Sequence, residues 1–121
     1  MKNLYTLLIT FATLAVFSFA SPAFGQVADF TANPTTTCVG GTVTFTDGSI
    51  GIVPGTTYLW NFGSGASPSN ATTPGPHAVT YSTIGSKTVT LTLTEGNNVY
   101  TKTRNNYIVV NQTNFIAVMQ V

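Results

Sequence analysis

From residue 27 onward, apolar and polar residues alternate with period two. In "TVTFT" (42–46), Val43 and Phe45 share one face and Thr42, Thr44 and Thr46 the other. In "TVTLTLT" (88–94), Val89, Leu91 and Leu93 oppose four threonines. Such alternation marks strands with one face on a core and one in water. No window after residue 26 shows helical spacing. Turn residues punctuate the runs: Gly40-Gly41, Asp47-Gly48, Pro54-Gly55, a glycine- and proline-rich stretch from Gly63 to Pro76, Gly85, and Glu95-Gly96-Asn97-Asn98. Glycine supplies positive φ and proline a fixed φ where a chain reverses. The pattern predicts strands over 27–32, 41–46, 57–62, 77–81, 86–94 and 99–110. Asn105-Asn106 is a candidate break in the last, and a hairpin joins the final pair. Short strands without intervening helices predict a two-sheet antiparallel sandwich. Its core comprises Phe30, Val43, Phe45, Tyr58, Trp60, Phe62, Val79, Tyr81, Val89, Leu91, Leu93, Ile108 and Val110.

Before residue 26 the pattern changes. Lys2 gives a positive start, Leu7 to Ala20 is a nearly unbroken apolar run, and small residues follow. Ala23 and Gly25 precede a candidate cut at Gln26; a second candidate cut follows Ala20. The run is shorter than the ~20 residues of a membrane span. The expectation is a signal peptide over 1–25, a sandwich domain over 26–111, and a linker or the start of a further domain over 112–121. That last segment ends in Phe115, Ile116, Val118, Met119 and Val121, an apolar run that a finished exported domain has no reason to expose. The expected location is secreted or at the cell surface, with no membrane span after leader cleavage.

Charge narrows the function. Asp29, Asp47 and Glu95 balance Lys87, Lys102 and Arg104 once Lys2 leaves with the leader. A neutral chain without a basic patch does not suit nucleic acid. Abundant threonine, a strand former, carries the solubility. The single cysteine, Cys38, excludes an intramolecular disulfide, and the burial habit of free cysteine predicts it inside.

Five pieces, in order, resemble the PKD (polycystic kidney disease) domain, an immunoglobulin-like module of secreted and surface proteins. They are "ADFTANP" (28–34), "GGTVTFTDGS" (40–49), "YLWNFGSG" (58–65), "PHAVTYSTIGSKTVTLTLT" (76–94) and "NYIVVN" (106–111). The third resembles the hallmark usually written Trp-Asp-Phe-Gly-Asp-Gly. The resemblance implies an immunoglobulin-like sandwich of about seven strands. It also implies protein–protein or protein–carbohydrate contact, or spacing, in multidomain proteins. The partners would be other extracellular domains or proteins, or polysaccharide. The alternative is an amino-terminal accessory module of a secreted protease or glycosidase.

Residue by residue, structural roles outweigh chemistry. Trp60, flanked by Tyr58 and Phe62, fills the space between sheets. Gly63 and Gly65 allow a sharp exit. Asn61 and Ser64 stand where the hallmark has aspartates, which removes the charge a calcium site wants. Asp47 suits backbone capping in its turn. His77 suits a hydrogen bond at the corner after Pro76, and Tyr81 belongs to the same stretch. One histidine, one cysteine and three scattered acids make no paired carboxylates or zinc site. A Cys38–His77 nucleophilic pair is the sole arithmetic option. The reading is therefore non-enzymatic, with no metal and no cofactor. Tyr100 and Tyr107, outside the core pattern, are the candidates for surface contact.

Overall fold

The computed structural model describes residues 25–113; the expected signal peptide, but for its last residue, and the apolar end of the chain from residue 114 lie outside the described residues. Among the described residues there are nine strands: β1 Phe30–Asn33, β2 Thr36–Cys38, β3 Thr42–Asp47, β4 Thr57–Asn61, β5 Ala66–Ser67, β6 Asn70–Ala71, β7 His77–Tyr81, β8 Gly85–Glu95 and β9 Asn98–Asn111. They form a four-stranded sheet in the order β1-β3-β7-β5 and a five-stranded sheet in the order β2-β9-β8-β4-β6.

The alternation sets the layers. In β3, β4 and β8 every second side chain is buried, and these rows meet between the sheets. Every position expected in the core is buried, and Ala28 joins them. Six aromatic rings form the centre: Phe30, Phe45, Trp60, Phe62, His77 and Tyr107, at centroid separations of 5.0–6.4 Å. Most pairs are tilted or edge-on, the arrangement that the ring quadrupole favours.

Four details depart from the expected sandwich. The sheets are not purely antiparallel: β2 pairs with β9 in parallel, Thr36 opposite Val109 and Cys38 opposite Asn111. Two-residue strands β5 and β6 flank β7 and β4 inside the stretch expected to be turn. The candidate break at Asn105-Asn106 is a bulge within one strand. Lys87 faces Ile108 and Val89 faces Arg104, so three residues of β9 oppose Thr88, with Asn106 at φ 51°. Cys38 is exposed rather than buried. It lies on an edge strand held by backbone pairing, which leaves its side chain outside the core.

The free edge of β1 is closed by side chains. The Phe30 N–H donates to Asp29 Oδ1, the Phe30 carbonyl accepts from Arg104 Nε, and the Ala32 N–H donates to Tyr107 Oη, at 2.9–3.1 Å. Arg104 and Tyr107 belong to β9, so the five-stranded sheet reaches across to satisfy the edge of the four-stranded one.

Candidate functional site

The turn after β4 is a structural corner. Asn61 Oδ1 accepts the Gly63 N–H at 3.0 Å, so the amide performs the turn-forming task of an aspartate without its charge. Gly63 has φ 90°, and a Cβ there would lie 2.8 Å from the Thr88 carbonyl. At Gly65, φ 73°, a Cβ would collide with the Thr83 hydroxyl. Both positions need glycine for conformation and for space.

Partners from β7 fix this corner. Tyr81, fully buried, donates its hydroxyl to the Phe62 carbonyl at 2.7 Å, and burial pushes the phenol pKa up to about 12. His77 Nε2 and Trp60 Nε1 both lie 2.9 Å from the Thr73 carbonyl. A carbonyl can only accept, so His77 carries its proton on Nε2. Asp47 accepts the Ser49 N–H at 2.9 Å and the Tyr58 hydroxyl at 3.2 Å. Burial, reinforced by the Asp47 charge, raises the Tyr58 pKa.

Charged residues form two groups that the sequence reading did not single out. Around Asp29, Arg104 Nη2 lies at 2.9 Å and Lys102 Nζ at 3.8 Å. The Arg104 guanidinium lies 5.4 Å from the Phe30 ring and 5.1 Å from the Tyr107 ring. Partial burial raises the Asp29 pKa, but the Phe30 N–H, Lys102 and Arg104 outweigh it and hold the carboxyl below its ordinary value. The second group centres on Lys87, 3% exposed. Its ammonium reaches Thr83 Oγ1 at 2.7 Å, Ser64 Oγ at 3.3 Å and the Ile84 carbonyl at 3.4 Å. The signal was available: Lys87 has the same parity as Val89, Leu91 and Leu93, so it had to point inward.

The two tyrosines offered for surface contact are half-buried against the core. Tyr107 already holds Ala32 and Phe30, while Tyr100 packs beside the aliphatic row. Cys38 and His77 do not meet. The turn after Cys38 binds the Tyr81 end of β7 through Gly40, whereas His77 opens the other end. Among the described residues, no three His, Cys, Asp or Glu side chains come together. No helix there is long and apolar enough to cross a membrane.

The outer face of β4, β8 and β9 is a polar, uncharged surface. Three cross-strand rows run over it: Asn61–Thr90–Thr103, Leu59–Thr92–Thr101 and Thr57–Thr94–Val99. None of these nine side chains is ionisable, and Leu59 and Val99 are 52% and 62% exposed.

No curated protein matches the chain. A solved structure concerned with the promiscuous specificity of carbohydrate-binding modules from the β-sandwich superfamily matches with a TM-score of 0.61 at 23% identity. The match covers 80% of this chain, and the chain spans 41% of that structure's length. At that identity the likeness is one of fold. The family model of the PKD domain matches residues 28–108, and the chain belongs to the PKD-domain family, whose modules are typically non-catalytic and occur in extracellular proteins.

Proposed function

We propose that this chain is a non-catalytic contact module of an exported protein, binding a neutral polysaccharide through the outer face of β4, β8 and β9. The carrying observation is that nine-residue surface without an ionisable group. Its hydroxyls repeat at about 4.8 Å across strands and about 6.7 Å along them, a grid suited to an extended hydroxyl-bearing polymer. Leu59 and Val99 supply apolar contact beside the hydroxyls. His77, Asp47 and Tyr107 are engaged in holding the sandwich, and Cys38 lies apart from His77, which supports a non-enzymatic role. The proposed context is an exported chain with leader 1–25 removed and module 26–111 at the surface, alone or beside a hydrolase domain.

The test is retention on insoluble neutral polysaccharides, chitin and cellulose, by the wild type and a Thr92→Glu variant. The wild type should bind. Thr92→Glu should bind about tenfold more weakly at unchanged melting temperature, the scale of one charged group at an interface. Absence of wild-type binding to either polymer refutes the reading.

A further inference from the structure

Gln26 is the residue that removal of leader 1–25 leaves first, and the fold holds it closely. It is 6% exposed. Its Nε2 donates to Thr56 Oγ1 at 2.8 Å and to Glu95 Oε2 at 3.3 Å. A carboxylate can only accept, which fixes the orientation of the amide. Gln26 Oε1 is the sole buried side-chain polar atom without a partner among the described residues. The next residue is locked in place. The Val27 N–H donates to the Ile50 carbonyl, and the Ile50 N–H to the Val27 carbonyl, both at 3.0 Å. Gly51 keeps the facing side bare: a Cβ there would lie 3.0 Å from the Gly25 carbonyl and 3.3 Å from Gln26 Cα.

A cut before Gln26 turns its backbone nitrogen into an ammonium at this buried position. Burying a charge is unfavourable unless the charge is paired. Gln26 can remove that charge by itself, because its α-nitrogen and its side-chain carbonyl carbon can join in a lactam ring. Closure within one residue needs no access from outside.

We propose that Gln26 is a modification site, which closes to pyroglutamate once the leader is cut; this rests on the leader reading of residues 1–25. The α-amine attacks Cδ and the Cδ–Nε2 bond breaks. The two protons shed by the α-ammonium leave with Nε2 as an ammonium ion, so atoms and charge balance. Glu95, beside the leaving nitrogen, carries a proton to it. The lactam oxygen is Oε1, which has no hydrogen bond to lose. Thr56 and Glu95 are partly exposed, so water takes the place of the departed amide at both. The sealed terminus is neutral and offers no amine to an aminopeptidase. None of this depends on polysaccharide binding.

The experiment purifies freshly exported full-length chain, incubates it in buffer, and follows its intact mass and the fragmentation of its N-terminal peptide. The wild type should begin at Gln26, become lighter by one ammonia, and lose terminal reactivity toward an amine-labelling reagent. Glu95→Gln keeps an acceptor for Nε2 but cannot carry a proton, and it should slow closure about tenfold. Gln26→Asn, too short for the ring, should keep its amine. A terminus at Ser21 would overturn the leader boundary and the proposal with it. A terminus at Gln26 that keeps its amine, paired with Glu95 or free, overturns the proposal alone. Closure at one rate in the wild type and Glu95→Gln would mark it as solvent chemistry and overturn the assisted step.

Discussion

The Trp60 indole and the His77 imidazole share one acceptor, the Thr73 carbonyl, each at 2.9 Å, with their rings edge-on at 5.4 Å. A core residue of β4 and the first residue of β7 thereby fix one loop between the two sheets. Trp60 is fully buried and is the sole tryptophan. Trp60→Ala should cost about 3–5 kcal/mol, because it removes a large buried surface and leaves a cavity. Urea unfolding followed by circular dichroism measures this. A loss below about 1 kcal/mol would be incompatible with a packed indole.

Acid should weaken the module through Asp29. Its pKa in the fold is depressed, so its contribution is present above the ordinary aspartate value of about 3.9 and is lost as pH falls through the folded value. Asp29→Asn should melt below the wild type near neutral pH. The two melting curves should converge on acidification below about pH 4. Parallel curves at every pH would remove Asp29 as the titrating group.

Alkali should act through Tyr81. The fold favours its neutral phenol, so the contribution is intact below the ordinary value of about 10 and lost as pH rises through about 12. Tyr81→Phe should abolish this part of the alkaline transition. It should also cost about 1–3 kcal/mol near neutrality by leaving the buried Phe62 carbonyl without its donor. Ultraviolet titration of the phenols, read beside stability, checks both.

Calcium should leave the melting temperature unchanged. Asn61 Oδ1 is held by Gly63, both Asp47 oxygens accept protein donors, and Asp29 faces two cations. A ligand of the native state must raise stability. A rise of several degrees at millimolar calcium would therefore expose a site built from other oxygens.

The core was legible because period-two rows report directly on sidedness. Val43 and Phe45, or Val89, Leu91 and Leu93, have one way to face inward once a strand is assumed. β2 was not legible: three residues cannot display a period, and its partner lies about 70 positions away at Val109. Cys38 misled for the same reason, since a residue-type habit stood in for a strand phase that the sequence did not show. The joint grip of Arg104 and Tyr107 on β1 was hidden because it depends on how one sheet lies over the other, and the bulge at Asn106 sets the phase of β9 there. Asn61 shows the opposite case. Its turn chemistry was readable from residue type alone, and the amide hydrogen-bonds the Gly63 N–H two residues on.

The edge strands β1, β2, β5 and β6 run two to four residues each, and β1 is the longest. It is also the one whose outward Phe30 N–H and C=O and Ala32 N–H are taken by Asp29, Arg104 and Tyr107. A strand edge with its backbone groups already satisfied cannot template another chain. Copies of this module can therefore be crowded on one surface, or strung along one polypeptide, without zipping into a continuous intermolecular sheet. An edge closed by its own fold is a guard against sheet-to-sheet aggregation wherever copies of such a module are concentrated.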